Sequence, residues 1–419
     1  MSRGAAVCVV GAGSSYTPEL IDGILAQTPE ELPIGRLAFH DINAERLAVM
    51  AGFAERAIRH AGREIAVTSG TRLPAMLEGA DFVLTQIRVG GMQARHLDES
   101  IPLKYGIIGQ ETTGPGGMLK ALRTIPHMVE IGRTIAEVCP DAFVLSYTNP
   151  SGIIAEAVSK YTRAKMIGLC SGIPGIQQDL AWRMAAHYPD LRTYTVGLNH
   201  LGFICRMVAG GQDVTQEALA LLAAEDGEQA AYEHRLLGAV PISYLRYFLH
   251  HRAVVESAKA KRTTRAQDIE SIERAILEEA GRPDTVRKPE ALEQRGGGGY
   301  AGITFSVMKA ILRNTGDEIT ANVPNRGSVQ GIDDDASVEV VCRMDREGAH
   351  PLPVGPIPLA FRGLVLAVKA YETLTVEAAV HRDRRLATLA LLNHPLCGDL
   401  DVIEPMLTEM LAAHGLQFT

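Results

Sequence analysis

Nothing in the chain approaches the roughly 18 consecutive apolar residues that a membrane-spanning helix requires, so no membrane partner is expected. The first apolar run, AAVCVV at residues 5–10, stops at Gly11 and is too short for the hydrophobic region of a signal peptide. A basic block is also missing. The formal net charge is −8 with both signs interspersed, which argues against nucleic acid as a partner. The short basic run from Lys259 to Arg265 reads as a solvated helix face. The six cysteines show no paired spacing, which speaks against a disulfide framework and for reduced thiols in a cytoplasmic setting. Internal repeats and low-complexity tracts are absent.

What is present fits a globular enzyme: 46% hydrophobic and 21% charged residues are ordinary proportions. A chain of 419 residues exceeds one ordinary core, so two regions are expected, 1–170 and 171–419. The first opens with the buried strand 5–10 and then GAGSSYTPELIDGIL. Gly11 and Gly13 permit a tight turn and close backbone approach to a phosphate, with Ser14 and Ser15 beside them. Thr17 is the expected N-cap, Pro18 suits the first helical turn, and Leu20, Ile21, Ile24 and Leu25 form an apolar face. A helix N-terminus aimed at such a loop is an anion site, and strand-loop-helix is the context of a dinucleotide fold. Tyr16 stands where a third glycine is usual.

Further buried strands are expected at 36–42, 81–89, 142–148 and 165–170, separated by helical patterns. That alternation predicts a Rossmann-type doubly wound parallel sheet, an α/β fold that carries its ligands at the carboxyl ends of the strands. Asp41 ends the second strand, where it would accept hydrogen bonds from a ribose or cap the next helix. Past the third strand lies Arg95, a candidate anion clamp or an exposed helix residue. Past the fourth comes Asn149, held in a turn by Pro150. Past the fifth comes Cys170. The loop GIIGQETTGPGGM (106–118) carries Glu111, an acid, a base or a cap. Thirty residues beyond Cys170 stands His200, in VGLNHLGF. Read alone, the cysteine is a packed thiol and the histidine a hydrogen-bonded core residue; a Cys–His pair at that spacing lacks the double spacing of a structural zinc site.

The segments VVGAGSSYTPEL, GQETTGPGGM, TNPSG, GLC, GLNHLGF, PISYLRYF, RGGGGY and NVPNRGSV occur in this order along nearly the whole chain. Together they resemble glycoside hydrolase family 4, and the branch of 6-phospho-β-glucosidases within it. The resemblance implies the lactate/malate dehydrogenase-like fold, with an α+β second region for substrate, metal and oligomerisation. It implies NAD+ and a divalent metal, usually Mn2+, as cofactors, with Cys170 and His200 as metal ligands. It implies a redox route to hydrolysis: hydride leaves C3 of the sugar, the C2 proton becomes acidic and is removed, the C1 substituent is eliminated, water adds, and hydride returns. Tyr244 matches the base, with Tyr247 as the alternative; Arg95, Asn149 and Arg295 are the candidate substrate contacts. A phosphorylated small glycoside is the expected partner, and a homodimer or homotetramer the expected assembly.

Two departures stand out. Ser171 occupies the position where α-acting relatives carry an acidic residue after the metal cysteine, which points to a β-linkage or to an acid elsewhere, such as Glu111. The loop CSGIP is also one residue longer than the usual C-x-x-P. Arg295 and the glycine run after it form either a phosphate-facing loop or a surface loop, after a polar stretch suited to a lid. Helices are expected at 215–236, 266–281, 300–313, 359–374 and 401–415, and strands at 318–323 and 337–345; the last two helices hold more apolar surface than one subunit needs. The alternatives are an unphosphorylated galactoside, glucoside or glucuronide as substrate, a 2-hydroxy acid dehydrogenase on the same fold, and a non-catalytic NAD sensor.

Overall fold

A computed structural model describes residues 4–296 and 298–419. Its frame is a nine-stranded sheet. Ala5–Val10 (β1), Ile34–His40 (β2), Ala66–Gly70 (β3), Phe82–Thr85 (β4), Phe143–Ser146 (β5) and Lys165–Gly168 (β6) are parallel, in the order β6-β5-β4-β1-β2-β3. Chain order reverses between β1 and β4, and this is where a doubly wound sheet opens its ligand crevice. The strands β1, β4 and β5 are buried throughout, as apolar strands covered by helices on both faces must be.

The sheet does not stop at residue 170. Asp317–Pro324 adds antiparallel to β6, followed by Ser337–Asp345 and Gly348–Pro351. Regions 1–170 and 171–419 therefore share one sheet and one continuous apolar core. A second sheet is built on the hairpin Arg192–Leu198 (β7) and Leu201–Ala209 (β8). The helices Leu359–His381 and Leu400–Ala413 bury Phe361, Val365, Tyr371, Val376, Met406, Leu407 and Met410 inside the subunit, so their apolar faces are covered within the chain. Among the described residues no helix is long and apolar enough to cross a membrane.

Local expectations fail where tertiary contacts outrank them. Helix Thr17–Leu25 takes Tyr16, not Thr17, as its cap residue, because the Thr17 hydroxyl donates to the Ala12 carbonyl at 2.7 Å and closes the loop. Asn43, not Asp41, caps helix Ala44–His60. The helix expected over 215–236 breaks at Asp226–Gly227 into Thr215–Glu225 and Glu228–Leu237. Strands β4, β5 and β6 end before the residues that follow them turn into the crevice.

His394 lies in the core, edge-on to Tyr371 at 4.6 Å between centroids. Burial, with His251 adding to it, holds its imidazole down to about 3, against about 6.5 in an unfolded chain. Between those values the unfolded chain binds a proton that the folded chain refuses, so stability falls as pH drops from about 6.5 toward about 3. His394→Gln should flatten the pH dependence of urea unfolding in that range by up to one proton. Parallel slopes for the two proteins would show that His394 is charged in the fold.

Candidate active site

The site is assembled from three chain segments that meet at the carboxyl end of β6. Residue Cys170 lies two positions past that strand. His200 is the second residue of the two-residue turn joining β7 and β8; its backbone is left-handed, φ 63°, and Gly197 pairs with Gly202 just below the turn. The Cys170 Sγ and His200 Nε2 atoms are 3.6 Å apart, and both side chains are buried. Burial drives the thiol up to about 12 and the imidazole down to about 3, so both are neutral until a cation takes the thiol proton's place. The third segment is set by pairing: Val240–Pro241 joins the edge of β8, and the chain then turns through Ser243–Leu245. That lays the Tyr244 ring flat on His200, 4.1 Å between centroids and 4° between planes. Gly172 packs closely here: a Cβ at that position would come within 2.5 Å of Ile242 Cδ1, so the isoleucine side chain would have to shift.

A cleft of about 880 Å3 runs from this cluster to the β1 loop, lined by Gly11, Gly13, Ser14 and Asp41 at one end and by Asn149, His200 and Tyr244 at the other. A Cβ at Gly11, φ 88°, would meet the Gln86 backbone at 3.0 Å, and one at Gly13 would meet Asp41 Oδ2 at 2.9 Å, so the loop is a bare-backbone cradle of the kind a pyrophosphate occupies. Asp41 tightens it by accepting from the backbone N–H groups of Gly13 and Asn43, each at 2.8 Å. Ser15 is fully buried and donates its hydroxyl to Glu273, 3.0 Å, a residue that itself lines the cleft. Tyr16, in the place of the third glycine, packs under the Arg295 guanidinium at 3.7 Å.

Glu111 sits among cations. It forms ion pairs with Arg88, with Lys120 at 2.7 Å and with Arg95 at 3.1 Å. Although burial opposes ionisation, these cations, Arg88 foremost, hold its carboxyl well below the usual range. Arg95 is not an exposed helix residue, because Glu99 and Glu111 fix it on the cleft wall. Arg295 is buried and paired with Glu273 at 2.8 Å; the glycine run beyond it includes Gly297, which lies outside the described residues. The basic run 259–265 is no solvated helix face throughout, since Arg265 lines the cleft and donates to the Arg295 carbonyl. Arg88, Lys120 and Arg265 are cleft residues that the sequence does not flag: each sits in an unremarkable helical or loop context, and only the fold brings them together.

The cleft's polar vacancies suit added ligands. Asn149 Oδ1 and His200 Nδ1 are buried without a hydrogen-bond partner. Among the described residues no group of three or more His, Cys, Asp or Glu forms a metal cluster.

Residues 6–185 match the family model described as family 4 glycosyl hydrolase, and residues 195–397 match its C-terminal domain. The chain belongs to glycoside hydrolase family 4. It is 36% identical to a probable 6-phospho-β-glucosidase of Bacillus subtilis, over 99% of this chain and 97% of that one. The solved 6-phospho-β-glucosidase of Thermotoga maritima with manganese, NAD+ and glucose-6-phosphate superposes with a TM-score of 0.91 at 32% identity, covering 99% of this chain and 100% of the other. Malate dehydrogenase from Plasmodium falciparum, at 13% identity and a TM-score of 0.52 over 90% of this chain and 98% of that one, shares the fold alone. The dehydrogenase-like architecture expected from sequence is thus present in a family 4 chain. Within the family motif PISYLRYF, Tyr244 faces the cleft, whereas Tyr247 packs edge-on behind it at 5.7 Å with its hydroxyl accepting from Arg246.

The Glu111 cluster yields a test. Glu111→Gln leaves Arg88, Lys120 and Arg95 facing the cleft without their shared carboxylate. Stability should fall by about 3 to 5 kcal/mol in urea unfolding and be partly restored by inorganic phosphate. Wild-type stability without phosphate would show that Glu111 is not the anion these cations depend on.

Proposed function

We propose that this chain is a 6-phospho-β-glucosidase that uses NAD+ and a divalent metal, Mn2+ first among candidates. The observation that carries this reading is the juxtaposition of Cys170, His200 and Tyr244 at one end of a cleft whose other end is a dinucleotide cradle. The full-length likeness to 6-phospho-β-glucosidases supports it.

When bound, NAD+ supplies a hydride acceptor and the cation a Lewis acid, which together make the sugar C2–H acidic. The chain's own residues do the rest. Cys170 and His200 would hold the cation, and Gly11, Gly13, Ser14 and Asp41 the dinucleotide. Tyr244 takes the C2 proton. Burial pushes its phenol upward, with Cys170 and Tyr247 adding to it, so the free side chain is a poor base. Tyr244 stacks on His200, so positive charge held by the Cys170–His200 pair would lower the phenol again. Asn149, Arg95 and Arg295 orient the sugar and its phosphate, in a wall already rich in cations. Ser171 has no acidic proton at neutral pH and Glu111 is held ionised, which favours aglycones that leave readily.

All six cysteines are free thiols, and metal ligation by Cys170 requires a reducing, cytoplasmic setting. The exposed Trp182 supplies apolar surface for the homodimer or homotetramer that this reading includes.

With p-nitrophenyl β-glucoside 6-phosphate, turnover should require both NAD+ and Mn2+, and Cys170→Ala should abolish it while the fold survives. The unphosphorylated glucoside should be slower by about 10²-fold or more, because it brings no anion to the cationic side of the cleft. Equal rates on the two substrates would shift the assignment to a plain glycoside, and NADH accumulating in step with product would shift it to a dehydrogenase.

A further inference from the structure

Directly behind the Cys170–His200 pair lies a carboxyl group with no place in the chemistry above. Glu339 is 1% exposed, on the strand Ser337–Asp345. A buried carboxyl costs free energy unless something uses it. Its neighbours are two amides. Asn322, directly opposite on the adjacent strand, donates from Nδ2 to Glu339 Oε1 at 3.0 Å. Asn199 donates from its own Nδ2 to the same oxygen at 3.4 Å. Asn322 in turn pairs with Gly168, where a Cβ would come within 2.9 Å of the asparagine. The NVPNRGSV and GLNHLGF segments, far apart in sequence, thus converge on one carboxylate oxygen, while Glu339 Oε2 is buried without a partner.

Asn199 is the residue before His200, and its orientation is fully specified. Its Oδ1 accepts from the Ser151 backbone N–H at 3.1 Å, so the amide cannot flip. Its Nδ2 therefore points toward Glu339, and the same side chain lies near enough to the Cys170 sulfur to favour the thiolate against burial. Metal-binding histidines are usually steadied by a partner on the second ring nitrogen, but among the described residues His200 Nδ1 has none. Support for the pair has to arrive by another route. We propose that Glu339 is a positioning residue of the metal pair, acting through Asn199: it fixes the amide that steadies both the left-handed turn of His200 and the Cys170 sulfur, and so sets affinity for the divalent cation.

This inference rests on the metal-dependent reading, and the test separates the two. Mn2+ is titrated calorimetrically into NAD+-free wild type, Glu339→Leu, Glu339→Gln, Asn199→Ala and the Asn199→Ala/Glu339→Leu double variant, with NAD+ affinity and urea stability measured in parallel. Glu339→Leu should weaken Mn2+ binding about 10- to 100-fold with NAD+ affinity unchanged. Glu339→Gln, which keeps the accepting oxygen, should bind Mn2+ close to wild type. Asn199→Ala should lose as much as Glu339→Leu, and the double variant no more. Wild-type Mn2+ affinity in Glu339→Leu, or additive losses in the double variant, would overturn the positioning role alone. Should Glu339→Leu fail to fold, wild-type affinity in Asn199→Ala overturns it equally. Wild-type protein that binds no Mn2+ would overturn the parent reading as well.

Discussion

The contact on which the rest of the structure turns is the one between a thiol and an imidazole, Cys170 Sγ and His200 Nε2, 3.6 Å apart. Burial keeps both groups neutral. Held side by side in the interior, they would receive a divalent cation in the place of the thiol proton. The sheet end brings the thiol, the hairpin tip brings the imidazole, and edge pairing with β8 brings Tyr244 onto the imidazole's face. The hairpin tip depends on backbone that most residues would strain: Gly197, where a Cβ would meet the Leu201 carbonyl at 2.3 Å, and His200 itself with φ 63°.

The charged wall of the cleft follows the opposite logic. Arg88, Lys120 and Arg95 converge on Glu111, and Arg295 and Arg46 converge on Glu273. Buried ions of this kind are costly when unpaired, so the carboxylates stabilise the folded chain while leaving an excess of positive charge at the surface a substrate meets. A group that carries its own anion completes such a wall, whereas a neutral sugar leaves it incomplete. That difference, rather than the shape of the sugar ring, is the physical basis for expecting a phosphorylated substrate.

Much of this architecture is legible in the amino-acid sequence itself. Buried apolar strands, the glycine loop and the order of strands and helices are local patterns, and the fold keeps them. Cys170, Asn149 and Asp41 stand out because they follow strand ends, and His200 and Tyr244 because short segments around them resemble a family. What stays hidden in the sequence is set by distant partners. Lys120 lies within a long helix and nothing beside it in sequence suggests a cleft. Thr17 would cap its helix were the Ala12 carbonyl not within reach. Glu111 reads as an acid, a base or a cap, and only the fold shows the three cations around it, as only the fold shows the Ser15 hydroxyl on Glu273. The strands 317–324 and 337–345 are legible, but not that they extend the first sheet, because one residue pair, Asn322 with Gly168, makes that junction.

The most direct test of the account is where solvent hydrogen enters the product. If Tyr244, stacked on His200, removes the C2 proton, sugar 6-phosphate released in D2O should carry deuterium at C2, read by proton NMR as loss of that signal. A product that retains its full C2 proton signal would mean that the bond at C1 is broken by direct displacement, and the role assigned to the Cys170, His200 and Tyr244 cluster would be wrong.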